Sequence, residues 1–168
     1  MNVSLHSAAL QEKHAPVEIA MAKLLSPESW EEALAYWVDA VPATTLIRGL
    51  LPILLAVSEA GEKEVKEVVA EIRHCLEEPD DERRWRLFQL AESLGFATPA
   101  GALGLVLFWL GGSMTPANCE PVYADRALVP LMLQTACRLM AIKLAGDNPP
   151  ETGAKLLFSR WLAAEREA

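Results

Sequence analysis

Thr-Pro-Ala-Gly-Ala-Leu-Gly-Leu-Val-Leu-Phe-Trp-Leu-Gly-Gly-Ser-Met-Thr-Pro, residues 98–116, is the stretch of sequence that decides the fold. Thr98 is a typical N-cap followed by proline at the first helical position, and Gly111 or Gly112 is a typical helix stop. Between these signals, residues 103–110 are apolar on every face of a helix, which is typical of a helix inside a protein or a bilayer. The apolar part is well short of the ~20 residues that a bilayer requires, so we expect a buried central helix.

Amphipathic helices are predicted on both sides of this segment. Ser26-Pro27-Glu28 is a typical helix start before a stripe of tryptophan, leucine and valine. Residues 62–78 give the clearest pattern, with apolar residues on one face and charged residues, including Glu71, on the other. Pro52 predicts a kink or a break in the apolar helix that contains it.

The chain contains no run of alternating β-branched residues that would indicate a strand. We therefore predict an all-α fold. It is a single-domain antiparallel helical bundle or short α-solenoid of about eight helices around the buried central helix. Residues 15–168 form this domain, and residues 1–14 are predicted to be a flexible N-terminal arm.

Composition limits the classes of partner. The formal net charge of −8 argues against nucleic acid and against an anionic membrane surface, because both need local positive charge. The three cysteines are widely spaced and form no CxxC pattern, so a disulfide framework is not expected. The N-terminus lacks a basic region followed by an apolar one, which predicts a cytoplasmic protein.

No catalytic, cofactor or metal motif stands out. The three histidines, His6, His14 and His74, lie at no spacing typical of a zinc site. Gly111-Gly112-Ser113-Met114 matches neither a nucleophile elbow nor a phosphate loop, so we interpret it as a helix stop and a tight turn. We predict no enzyme, no cofactor and no metal. An enzyme with a dispersed site, gathering Arg48, His74 and carboxylates in one pocket, remains a third hypothesis.

Residues 111–125 form the longest irregular stretch, and such connections often carry binding residues. We predict that its exposed side chains contact a protein partner: Ser113, Met114, Asn118 and Tyr123. Among the five tryptophans, Trp161 near the C-terminus is predicted to take part in partner binding or self-association, and a homodimer is left open.

Two sequence blocks resemble a family of small helical bacterial proteins associated with type VI secretion gene clusters. The first is Glu78-Pro79-Asp80-Asp81-Glu82-Arg83-Arg84, and the second is Phe108-Trp109-Leu110-Gly111-Gly112-Ser113-Met114-Thr115-Pro116. The apolar helix after the loop also fits, so the resemblance covers roughly residues 27–145. It implies a cytoplasmic accessory role and supplies no catalytic residues.

The leading functional hypothesis is a non-catalytic protein-binding module, such as an adaptor, a chaperone or an accessory factor for type VI secretion. The alternative is an immunity or inhibitor protein that blocks a toxin through an acidic surface. Such a complex would be strongly sensitive to salt, because opposite charges would hold it together.

Overall fold

The computed structural model describes residues 14–58 and 62–167, which contain eight helices and no strand. The predicted all-α fold is confirmed. The proposed arm falls outside the described residues except for His14, which is buried in the first helix rather than part of an arm. In chain order the helices are α1 (14–24), α2 (Trp30–Ala40), α3 (Ala43–Val57), α4 (Lys63–Glu77), α5 (Asp81–Leu94), α6 (Pro99–Gly111), α7 (Leu128–Ala145) and α8 (Pro150–Glu167).

The packing is that of a bundle rather than of a solenoid. A solenoid repeat touches only its neighbours along the chain. Here α2 packs against α7 and α8, and α3 packs against α8, so helices distant in sequence meet around a shared core. The bundle is therefore the form of the predicted fold that the chain adopts.

Helix α6 is the central helix, as predicted. The Thr98 hydroxyl accepts a hydrogen bond from the Gly101 amide at 3.1 Å and caps its start. Gly112, with φ of +155°, ends it. Every residue from Ala100 to Phe108 is buried, and α6 packs against α3, α4, α5 and α7. The burial of α6 among its neighbouring helices thus explains why it is apolar on every face.

Two prolines lie inside helices without breaking them. Pro52 is part of α3, which continues to Val57, so the predicted break is absent. Both Pro52 and Arg48 are exposed, so the carbonyl that loses its helical donor lies on the solvent side. Pro130 lies in the first turn of α7, where its missing amide costs no helical hydrogen bond.

A glycine sets the distance between α7 and α8. A Cβ atom at Gly153 would lie 1.7 Å from the carbonyl oxygen of Ala141, so the two backbones approach too closely for any other residue. This pair of helices is in the most extensive contact of the bundle. Small residues on both sides therefore fix the position of α7.

Within the described ranges, α7 is also the one helix that is long and apolar enough to cross a membrane by length and composition. A mostly buried core helix of a soluble protein meets the same criterion, whereas only 33% of the residues of α7 are buried. It packs against α2, α3, α6 and α8 and carries Arg138 and Lys143. We interpret it as a helix of the bundle.

Candidate functional site

A buried arginine joins the two sequence blocks singled out above. Arg84 of α5 is 7% exposed, and its Nη1 donates a hydrogen bond of 3.0 Å to the carbonyl oxygen of Phe108. Its Nε and Nη2 donate to the Asp81 carboxylate at 3.0 and 2.8 Å. The Phe108 carbonyl lies near the C-terminal end of α6, where helical carbonyls lack backbone donors. Arg84 therefore supplies a donor that this helix end needs.

Packing around Arg84 explains the glycine after Leu110. The guanidinium carbon lies 4.4 Å from the centroid of the Phe108 ring, within range of a cation–π contact. A Cβ atom at Gly111 would lie 2.6 Å from Cδ of Arg84. The pair of glycines thus does more than stop a helix, because it leaves room for the arginine. We call Asp81, Arg84, Phe108 and Gly111 the Arg84 joint.

The carboxylate of Glu71 is buried, against the expectation that it lies on a solvated face. Glu71 is 7% exposed and lies between α4 and α5. Its Oε1 is 3.3 Å from Nε of Arg86 and 3.5 Å from Nη1 of Arg83. Two cations from the next helix therefore compensate the buried charge, which the helical period of α4 alone does not reveal.

A cavity of about 330 Å³ adjoins the joint, between α3, α4, α5 and α6. Its polar lining includes Asp80, Asp81, Arg84 and the Cys75 thiol. Burial raises the pKa of Cys75, and the negative charge of Glu71 raises it further. A thiol held in its protonated form is a poor nucleophile. A ligand in this cavity would thus meet mainly apolar side chains and an arginine that already donates to Phe108 and Asp81.

The residues of the dispersed-site hypothesis do not meet in this cavity. Arg48 is exposed on α3, and His74 lies 3.9 Å from Glu78 one turn further along the chain. The lining residues of the cavity include neither of them. In the described part of the chain, no group of three His, Cys, Asp or Glu side chains has the geometry to hold a metal ion.

The three cysteines are expected to react at very different rates. Cys119 is exposed, Cys75 is partly buried, and Cys137 is fully buried with its pKa raised to about 12 by burial. Since the thiolate is the reactive form, native protein at neutral pH should show one fast and one slow thiol. The third thiol should react only in denaturant.

Labelling with a maleimide followed by peptide mapping measures these rates, and Cys119→Ser should remove the fast phase. Rapid modification of Cys137 in native protein would contradict the packing of α7.

Hydrogen bonds fold the connection between α6 and α7 into a compact loop. The Ser113 hydroxyl accepts from the amides of Val122 and Thr115 at 2.9 and 3.1 Å. The Met114 amide donates to the carbonyl oxygen of Val122 at 2.7 Å, and the Thr115 hydroxyl donates to that of Glu120 at 2.8 Å. Ser113, predicted to contact a partner, therefore has a structural role in shaping the loop.

The loop exposes apolar side chains. On the loop, Tyr123 is 68%, Val122 48% and Met114 38% exposed, and Leu110 in the last turn of α6 is 44% exposed. We call these four residues the loop surface. In the described part of the chain nine large apolar side chains are exposed, and six of them lie between residues 110 and 131. Isolated exposed apolar residues are ordinary, but a concentration of them indicates an interaction site.

The structure separates the five predicted partner residues. Met114 and Tyr123 lie on the loop surface, and Asn118 is exposed on the same loop. Ser113 holds the loop together. Trp161 does not lie on the surface, because its side chain is fully buried and its indole nitrogen donates a hydrogen bond to the carbonyl oxygen of Leu46.

Sequence reasoning missed Arg84, Leu110 and Val122. Arg84 follows five carboxylates in residues 77–83, and nothing in that spacing indicates that it is buried or which acceptors it contacts. Leu110 belongs to an apolar run that is otherwise buried, and only its position at the helix end indicates exposure. Val122 precedes Tyr123 in the irregular segment, and this position next to a predicted contact residue is the signal that could have identified it.

Residues 20–159 match a protein family described as a family of unknown function, DUF6931. No curated protein and no solved structure matches the chain. The matched range includes the Arg84 joint and the whole loop surface. The family description carries no link to type VI secretion, so that part of the resemblance stays a prediction.

Proposed function

We propose that this chain, which belongs to the DUF6931 family of unknown function, is a non-catalytic helical module that binds another protein through the loop surface. The observation that carries the proposal is the exposure of the four large apolar side chains of the loop surface. Aromatic residues and methionine are enriched where proteins bind one another. Tyr123 and Met114 are therefore the expected central contacts.

The shape of the loop supports binding because it is set before a partner arrives. Ser113 and Thr115 fix the loop through hydrogen bonds to backbone groups on its returning segment. A preorganised surface loses less conformational entropy on association than a flexible one. The Arg84 joint anchors the beginning of the loop by holding the end of α6.

The charge around the loop surface favours a binding mode of low salt dependence. No Asp, Glu, Lys or Arg occurs between Glu92 and Glu120, a range that contains Leu110 and Met114, whereas Val122 and Tyr123 lie between Glu120 and Asp125 in the sequence. Contacts made by Met114 and Tyr123 would therefore be mainly apolar, and salt affects such contacts little compared with ion pairs. A toxin inhibitor that acts through the acidic exterior should instead release its partner at high salt. The salt dependence of the complex distinguishes these two functions.

The finer part of the proposal is a cytoplasmic accessory role in type VI secretion. It rests on the resemblance of residues 78–84 and 108–116 to small helical proteins of such gene clusters. The Arg84 joint gives these two blocks a common structural purpose, because Arg84 binds Phe108 and packs on Gly111. A partner that is a component of the secretion apparatus would support this role.

Replacing Met114 and Tyr123 together by serine is expected to leave the melting temperature nearly unchanged and to weaken partner binding. Both side chains are exposed, and the backbone hydrogen bond from Met114 to Val122 does not depend on them. Truncating a central contact typically costs about 2 kcal/mol, or about 30-fold in the dissociation constant. The measurement is capture from the native host, identification of the partner, and titration with the purified partner.

The matched control is a serine replacement of Leu156, an exposed apolar residue on α8. It removes a comparable side chain from another surface and should leave partner affinity unchanged. Equal loss of binding in the control, or undiminished binding by the Met114 and Tyr123 variant, would refute the loop surface as the binding site. Ser113→Ala should lower both stability and affinity, because it loosens the loop.

A further inference from the structure

The outward side of α7 carries a regular stripe that the bundle leaves uncovered. We call it the outer stripe of α7, and its successive members are three, four, three and four residues apart: Leu128, Leu131, Thr135, Arg138 and Ile142. Leu131 is 57% exposed, Ile142 is 47% exposed and Leu128 is 43% exposed. The other sides of α7 pack against α2, α3, α6 and α8.

This spacing is that of a helix–helix seam. Apolar residues that alternate at three and four positions form the contact line between two helices that pack side by side. The stripe extends over most of an 18-residue helix. Because only a third of the residues of this apolar helix are buried, we expect its exposed side to pack against another helix.

We propose that the occupant is α7 of a second copy of this chain, packed antiparallel across the outer stripe, so that the protein is a two-fold symmetric dimer. In such a dimer residue i meets residue j and residue j meets residue i. The stripe has this property, because Leu128 and Ile142 each lie seven residues from Thr135. Leu131 and Arg138 lie four and three residues from it. Thr135 thus faces its own copy at the axis, and Leu128 faces Ile142.

Charge selects the antiparallel arrangement. Parallel packing would place Arg138 against Arg138, and like charges in contact destabilise an interface. Antiparallel packing places Arg138 against Leu131 of the second copy. Leu131 lies in a groove between α2 and α7 whose lining includes the carboxylates of Glu31 and Glu32. Arg138 is 3.0 Å from Glu31 of its own chain, so Glu32 is the carboxylate that the arginine of the second copy approaches.

The residue at the axis suits burial. The Thr135 hydroxyl donates a hydrogen bond of 3.0 Å to the carbonyl oxygen of Leu131 in its own helix. Covering it therefore leaves no hydrogen-bonding group unsatisfied. A residue smaller than its leucine neighbours also lets the two helices approach at the axis. The proposal is independent of the loop surface, which it leaves available for another protein.

Sedimentation of the full chain at micromolar concentration tests the dimer. The wild type is expected to be dimeric, and Leu131→Glu is expected to weaken dimerisation by about 30-fold or more. Leu156→Glu on α8 is the matched control and should stay dimeric. Leu131 and Leu156 are both exposed, so neither substitution should change the stability of the monomer much. A wild-type chain that sediments as a monomer would overturn the proposal, as would a dimer that Leu131→Glu leaves intact.

Cysteine cross-linking tests the direction of packing, in a background that carries Cys119→Ser to remove the exposed native thiol. With a short bis-maleimide, Thr135→Cys alone should give covalent dimers. Leu128→Cys alone should not, whereas an equal mixture of Leu128→Cys and Ile142→Cys chains should. Efficient cross-linking of Leu128→Cys alone would show parallel packing and contradict the symmetry argument. Equal cross-linking of a Leu156→Cys control would show random collision and do the same.

Discussion

Arg84→Ala is expected to lower the free energy of unfolding by about 3 kcal/mol, because it leaves a buried carbonyl without its donor and opens a cavity. The guanidinium donates to the Phe108 carbonyl at 3.0 Å and covers the Phe108 ring. The stem packs against Gly111 so closely that a Cβ atom there would overlap it. Asp81 contributes less, because its side chain is 60% exposed and solvent screens the pair.

Urea denaturation followed by circular dichroism measures this effect. Arg126→Ala is the control, since it removes an exposed arginine and should change the unfolding free energy by less than about 0.5 kcal/mol. Arg84→Lys keeps the positive charge but loses the planar set of donors, so it should still destabilise the protein. If Arg84→Ala and Arg126→Ala have equal effects, Arg84 does not join α5 to the end of α6.

The Arg84 variant also connects stability to the proposed function. Because Arg84 holds the C-terminal end of α6, its loss should increase the motion of the loop that begins at Ser113. Partner affinity should then fall, even in the part of the population that stays folded. Binding measured at a temperature well below the melting transition separates this effect from unfolding.

Local signals were sufficient to predict the central helix. Thr98 and Pro99 mark its start, Gly112 marks its end, and residues between them are apolar on every face. A helix of that composition has to be covered, and the amphipathic patterns of α2 and α4 supply covering faces. The fold class and most helix bounds follow from such information, because caps, prolines and periodicity act within a few residues.

Interactions between helices could not be predicted in this way. The burial of Glu71 depends on Arg83 and Arg86 of the next helix, and the requirement for Gly111 depends on Arg84, 27 positions earlier. Neither relation has a fixed spacing in the sequence. The loop surface was predicted only in part. Its members Met114 and Tyr123 follow from the irregular segment in the sequence, whereas the structural role of Ser113 is visible only in the hydrogen bonds of the loop.

Trp161→Ala is expected to be the most destabilising of these changes, with a loss of about 4 kcal/mol, because it removes a large side chain from the core. Trp161 is fully buried, and its indole nitrogen donates to the Leu46 carbonyl at 3.2 Å. Its ring centroid lies 5.3 Å from that of Trp37 and 5.1 Å from that of His14. It therefore joins α1, α2 and α3 to α8. For a chain of this length the melting temperature should fall by about 10 °C.

Variants of Trp161 distinguish a role in the core from the role in partner binding that its position near the C-terminus predicts. Gly49 packs against the indole so closely that a Cβ atom there would overlap its nitrogen, as expected for a ring held inside the core. Trp161→Phe retains most of the packed volume and should cost less than Trp161→Ala. Where the variants are still folded, affinity for the partner should match the wild type. A folded Trp161→Ala protein with an unchanged melting temperature and lost binding would instead place Trp161 at the interface. The burial of Trp161 predicts instead that the variant loses stability, and that it loses binding only where it unfolds.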